Sequence, residues 1–341
     1  MLTITKIPLD IHCQCIAWRF DVPIDNHYKL GQIIPDLGKG QEKLVAYGKY
    51  KFDMVQVSAD GQYVILYERL GIKGAIYKHD RLLREINRSF YCAEVYEFPL
   101  AIINRPQQRP LLVYCPEDYN KLEIEDLETG ARLTQSEGRK SEEIADVFHS
   151  RLSANPSGTK LLGASWVWHP VDVISLFDIE QALKNLTHLD EGGGIENLEV
   201  WQVSSARFLA DDLILFSSSQ EPDEDFPPNA LGVYSIAQQK LVHQATIDIQ
   251  IGNLYPINQD ICWDVYEFPK IIHIRSGKVM AKAEKVNAGK QDSSIIHHID
   301  PLPSISLSHD RTHLAVQKEG QLVVVALDLS AAATWMSKHN L

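Results

Sequence analysis

The sequence has 341 residues, of which 45% are hydrophobic and 23% charged. These proportions are ordinary for a globular protein and exclude a disordered or collagen-like chain. Acidic residues outnumber basic ones by 45 to 33, which gives a formal net charge of −12. Binding to a nucleic-acid backbone requires clustered cations. We therefore expect no nucleic-acid partner, and a protein partner that is neutral or basic.

Cysteine usage and hydropathy bear on the cellular compartment. The five cysteines are odd in number and widely scattered, which does not suggest a disulfide framework. No apolar run approaches the roughly 18 residues that a membrane span needs, and the first residues do not resemble a signal peptide. We expect a cytoplasmic protein that does not associate with membranes.

Short segments with the two-residue alternation of half-buried strands recur along the chain. The clearest, in chain order, are residues 54–57, 63–67, 111–114, 213–216, 271–274 and 322–325. Helical patterns are scarce, and short helices are predicted only at residues 141–148, 179–186 and 330–338. Ser141 and Ser330 are the expected caps of the first and the last of these helices.

A repeated unit of strand, tight polar turn and strand organises the chain. It occurs at residues 57–64, 152–161 and 307–314, where Asp or Asn opens each turn. A second element, a strand that ends in a turn, follows most copies. Four strands per cycle is the signature of a β-propeller.

The number of blades follows from the spacing of the repeats. Ser58, Ser153 and Ser308 divide the ring into two, three and two units of roughly 50 residues. The sequence therefore predicts an all-β fold, a single closed propeller over residues 1–341 with seven four-stranded blades and a short C-terminal helix. Residues 1–8 would complete the last blade with residues 303–329. Six blades, or a pair of β-sandwich sheets, remain the alternatives.

The four-strand cycle resembles that of WD40-like propellers along nearly the whole chain. Residues 114–126, 148–152 and 166–172 are similar to a bacterial propeller family. The resemblance implies the propeller fold and no particular activity.

Standard catalytic motifs are absent from the sequence. It contains no G-x-S-x-G, no phosphate loop ending in Gly-Lys-Ser/Thr, no H-E-x-x-H and no G-x-G-x-x-G. Cys13 and Cys15 have no second Cys/His pair to complete a tetrahedral metal site. We expect no metal and no cofactor. An enzyme of hydrolase or lyase type remains the alternative, with His149 or His169 as the base in a polar pocket at the propeller axis.

Acidic and aromatic residues concentrate in a few connections between strands. In a propeller these connections lie on one face, whereas the short turns of the opposite rim look purely structural. The candidate binding residues are Glu117, Asp118, Tyr119, His149, Trp168, His169, Asp172, Glu221, Asp223, Glu224, Asp225 and Phe226. The sequence thus predicts a non-enzymatic propeller that binds a protein, for example a basic toxin. The alternatives are a solvated loop at residues 221–228 and blade packing by Trp166 and Trp168.

Overall fold

The strands of the computed structural model form seven separate antiparallel sheets around one axis. The structure describes the chain except residues 10–11, 21–29, 35–40, 49, 137, 169–170, 199, 221–225, 297–299 and 319. The predicted seven-bladed propeller is confirmed. We number the blades I to VII by the position of their first strand in the chain.

Four blades have four strands each. Blade II comprises Met54–Val57, Tyr63–Tyr67, Lys73–Lys78 and Arg81–Asn87. Blade V comprises Val203–Ala210, Leu213–Ser218, Ala230–Ser235 and Lys240–Thr246. Blade VI comprises Leu254–Pro256, Ile261–Asp264, Lys270–His273 and Val279–Lys282. Blade VII comprises Ile305–Leu307, His313–Lys318, Gln321–Leu327 and, as its outermost strand, Leu2–Pro8.

The other three blades have three strands within the described ranges. Blade I comprises Cys15–Phe20, Gln32–Ile33 and Glu42–Tyr47. Blade III comprises Leu100–Ile103, Leu111–Tyr114 and Glu123–Asp126. Blade IV comprises Ser153–Ala154, Lys160–Val167 and Val171–Asp178. Blade I departs from simple sequence order, because Glu42–Tyr47 lies between the other two strands.

The core is divided among the gaps between blades. Seven apolar clusters of described residues each join two neighbouring blades. Ile16 and Leu44 of blade I, for example, pack with Leu322 and Val324 of blade VII, so the ring is closed. Closure of this kind excludes the alternative pair of sandwich sheets, because sheets of a sandwich pack as a face-to-face pair. The strand pairing at the closure runs from Leu2 opposite Leu327 to Pro8 opposite Gln321.

The helices are few and short, as the sequence indicates. Ile179–Lys184 and Leu329–Lys338 are α-helical, and Ser141–Glu143 and His188–Glu191 are 3-10 turns. The predicted helix at residues 141–148 is therefore wrong beyond its first turn, since the backbone of Phe148 instead pairs with Trp166. Asp328, rather than Ser330, caps the last helix, because its side chain accepts the N–H groups of Ser330 and Ala331. No helix in the described part of the chain is long and apolar enough to span a membrane.

The first strand of most blades contacts the first strands of its neighbours, so these strands line the axis. We call the end at which the first strands begin the upper face. Connections that enter a blade lie there, and so do connections between second and third strands, because neighbouring strands are antiparallel.

Candidate functional site

An aromatic cluster occupies the upper face between blades III and IV. It is built from two connections that enter a blade and two that join a second to a third strand. Its members are Tyr91, Tyr96, Tyr119, Phe148, Trp166 and Trp168. The rings of Phe148 and Trp166 stack at 3.9 Å, because a backbone bridge fixes these two residues opposite each other.

The outer rim of this cluster is exposed. Trp168 packs edge-on against Phe148 at 5.5 Å, yet 49% of its surface is accessible. Tyr91 lies 4.9 Å from Tyr119 and is 44% exposed, and its neighbour Phe90 is 80% exposed. We call Phe90, Tyr91, Tyr119 and Trp168 the aromatic patch. Large apolar side chains exposed together in this way are typical of interaction surfaces.

A buried arginine holds the loop that carries Phe90 and Tyr91. The Arg88 guanidinium donates hydrogen bonds to the carbonyl oxygens of Ala93, Tyr96 and Glu97, at 2.5, 2.9 and 3.2 Å. It also lies over the ring of Tyr96, 4.5 Å from its centroid. These contacts fix the conformation of the loop. Arg88, Phe90 and Tyr91 are not among the residues predicted from the sequence, although two adjacent aromatic residues in a connection are a visible signal.

Two carboxylates near the aromatic patch, those of Asp146 and Glu117, have partners within the protein. Tyr119 donates its hydroxyl hydrogen to Asp146 at 2.6 Å, and burial together with this contact raises the pKa of Tyr119. Glu117 is ion-paired with Arg132 and Lys121, and the Arg132 hydrogen bond is the main cause of its lowered pKa.

The structure places Asp118, Tyr119 and Trp168 on the upper face and only partly buried. Three other predicted residues are not surface groups, and the expectation that they are accessible is wrong. His149 is 1% exposed, 5.9 Å from the Phe177 ring, and burial lowers its pKa to about 4. Phe226 is 2% exposed and packs on Phe216 in the core between blades IV and V.

Asp172 is the third buried residue of the predicted set. Its carboxylate accepts hydrogen bonds from the hydroxyl and the backbone N–H of Ser294, at 2.7 and 3.2 Å. The Asp172 carboxylate therefore holds the segment around Ser294 in place and does not face solvent. The predicted residues His169, Glu221, Asp223, Glu224 and Asp225 lie outside the described residues.

Ser294 belongs to a segment that crosses the upper end of the axis, residues 288–296, which we call the strap. It starts beside blade VI and reaches blades III and IV, where Ile295 bridges Tyr96. Gln291 donates to Glu97 at 2.9 Å and accepts from Asn253 at 2.8 Å. Sequence reasoning could not place the strap, because it has no periodic pattern and its partners are distant in the chain.

Among the described residues, no set of three or more His, Cys, Asp or Glu side chains is placed to bind a metal ion. Cys13 and Cys15 are free thiols, and burial raises the pKa of both. The absence of metal and cofactor stays a prediction.

Comparison with known proteins supports the fold and does not extend to function. No family model and no curated protein matches the sequence. A chain in the crystal structure of the Mitotic Checkpoint Complex is similar over 92% of this chain and 91% of its own, with 12% identity and a TM-score of 0.50. The Pan2 WD40 domain of Neurospora crassa is similar over 81% of this chain and 74% of its own, with 7% identity and a TM-score of 0.47.

At such identities the likeness shows the fold alone. The seven sheets confirm the propeller fold that the resemblance to WD40-like proteins implies, while the resemblance to a bacterial family stays a prediction.

Proposed function

We propose that this propeller is a binding protein that holds a protein partner on the aromatic patch of its upper face. The exposed rings of Phe90, Tyr91 and Trp168 are the observation that carries the proposal. Aromatic side chains at the centre of an interface commonly supply most of the binding free energy.

The patch is also pre-organised. Trp168 rests on Phe148 and Trp166, and Arg88 fixes the loop of Phe90 and Tyr91. Ordering side chains on binding costs free energy, so rings that are already held contribute more of their contact energy to affinity.

The charge of the chain favours a neutral or basic partner. The net charge is −12, and Asp146 lies at the edge of the patch on Tyr119. Such charges mainly accelerate association and lose their effect as salt is added.

The test compares Trp168→Ala with a matched control. Leu82→Ala removes an exposed apolar side chain, 55% accessible, from the outer strand of blade II. A partner captured by the wild-type protein from native lysate is identified by mass spectrometry, purified and measured by surface plasmon resonance. Loss of a buried aromatic anchor typically costs about 2 kcal/mol or more, which is roughly a thirtyfold weaker Kd.

Phe90→Ala should weaken binding in the same direction, while Leu82→Ala binds as the wild type does. Equal affinity of the Trp168 and Phe90 variants with the control would show that the patch is not the interface. A thermal melt of each variant confirms that the fold is retained.

A further inference from the structure

The lower end of the axis, opposite the strap, opens into a cavity of about 470 Å³. Its wall is formed by the lower ends of first strands and by the turns that follow them. A smaller cavity of about 90 Å³ lies above it, and Arg207 and Tyr255 line both. The lower cavity has the size of a small-molecule site, for which about 300 to 1,000 Å³ is usual.

The wall of the lower cavity is cationic. Its described lining includes Arg207 and Arg311 and contains neither Asp nor Glu. This composition is opposite in sign to the net charge of −12 that the whole chain carries. A local excess of cations in an acidic protein gives the cavity a field that attracts anions.

Within the described part of the chain, the two arginines use few of their hydrogen-bond donors. Arg207 donates one hydrogen bond, to the carbonyl of Arg151 at 3.3 Å, and lies over the Tyr255 ring at 5.6 Å. Arg311 donates one, to the carbonyl of Pro256 at 2.9 Å, and burial lowers its pKa. A guanidinium has five N–H donors.

Neither arginine has a carboxylate within 4 Å in the part of the chain that the structure describes. The buried Arg19 and Arg139 differ in this respect, since each is paired with an aspartate, Asp80 and Asp190 respectively. Arg207 and Arg311 are only partly buried, and both line the lower cavity. An anionic ligand there would supply the counter-ion that both lack.

The acidic side chains nearest in sequence to the rim of the lower cavity accept hydrogen bonds within or beside short turns. Asp310 accepts hydrogen bonds from Ser308 and Thr312, and Asp211 accepts one from the backbone N–H of Ser157. They stabilise the short turns of the lower rim and do not line the cavity.

We propose that the lower cavity binds a small organic anion whose carboxylate or phosphate group is held by Arg207 and Arg311. The two side chains flank Tyr255–Pro256, one from blade V and one from the first turn of blade VII. Planar guanidinium groups bind carboxylates and phosphates with two parallel hydrogen bonds. Ile102, Phe208 and Leu307 supply apolar wall for the rest of the ligand. This site is separate from the protein-binding patch.

Isothermal titration calorimetry on the full chain tests the proposal with three probes. Glutarate carries two carboxylates, phenyl phosphate carries a phosphate on an apolar ring, and glutaramide is the uncharged counterpart of glutarate. The expected result is that glutarate or phenyl phosphate binds while glutaramide does not. Whichever anion binds more tightly identifies the class of the natural ligand.

The variants R207Q and R311Q should each weaken the bound anion at least tenfold, because each removes a charge-assisted hydrogen-bond donor. R109Q is the control, since Arg109 is an exposed arginine outside the cavity lining. If R311Q fails to fold, R311K is used instead. It keeps the positive charge but removes the planar guanidinium group, and it should still weaken binding. The proposal is overturned if neither anion binds, if glutaramide binds equally well, or if R207Q and R311Q bind as the wild type does.

Discussion

His149 is expected to make the stability of this protein depend on pH in a defined window. Its imidazole is buried beside Phe177, and desolvation is the main cause that lowers its pKa from 6.5 to about 4. A hydrogen bond with the Asn120 backbone opposes this shift without reversing it.

The sign of the effect follows from proton uptake. Between pH 6.5 and about 4 the unfolded chain protonates at His149 and the folded chain does not. The free energy of unfolding therefore falls as the pH is lowered through this window. A shift from 6.5 to about 4 corresponds to about 3 kcal/mol lost at the acid end.

Urea unfolding at pH 7 and pH 4, followed by circular dichroism, measures this loss. His149→Gln removes the titration, so its stability should fall less than that of the wild type by about 3 kcal/mol over the same interval. His339→Gln, at the exposed residue that follows the last helix, is the control and should behave as the wild type. The reasoning fails if all three proteins lose the same stability, or if proton NMR shows His149 titrating near pH 6.5.

Three further predictions concern stability and are read from urea unfolding curves. Deleting residues 1–8 should sharply lower stability, because the outer edge of blade VII loses its paired strand; a deletion that melts like the full chain would contradict the closure. Lys270→Met should cost about 3 to 5 kcal/mol, because it leaves the buried Asp264 carboxylate without its cation. Lys290→Met, at an exposed ion pair, should lower stability far less, and equal losses for both lysines would refute this contrast. Phe226→Ala should lower the free energy of unfolding by about 3 to 5 kcal/mol, whereas a negligible loss would show that Phe226 is not buried in the core.

The propeller could be predicted because its signals are local. In the turn after the first strand of blade II, Asp60 accepts hydrogen bonds from Ser58 and the Gln62 N–H, and Gly61 has a φ of +70°. The equivalent turn of blade VII keeps the same bonds on Asp310 but has Arg311 in the left-handed position, with a φ of +59°. Such turns are visible in the sequence as a repeat.

The strand order of blade I could not be predicted in the same way. Its strand Glu42–Tyr47 inserts between Cys15–Phe20 and Gln32–Ile33. Alternating hydrophobicity indicates that a segment is a strand, but it does not specify which neighbour that strand pairs with.

The candidate site was only partly predictable for a related reason. Four carboxylates before Phe226 indicate a solvated loop, but the ring that ends this loop turns inward onto Phe216. Conversely, Phe90 and Tyr91 face outward because Arg88 draws the rest of their loop inward through its carbonyl groups. Whether an aromatic side chain in a connection is buried depends on such long-range contacts, which a single sequence does not contain.

The strap also determines how the two proposed sites relate to each other. The upper cavity has Arg207 and Tyr255 at the end it shares with the lower cavity, and Gln291 in its wall. An anion that enters from below therefore meets the arginines before it reaches the strap. The described lining of the lower cavity includes no residue of the strap, so a ligand there does not contact the Gln291 side chain that joins Glu97 to Asn253. We therefore expect the lower cavity and the aromatic patch to bind their ligands independently of each other.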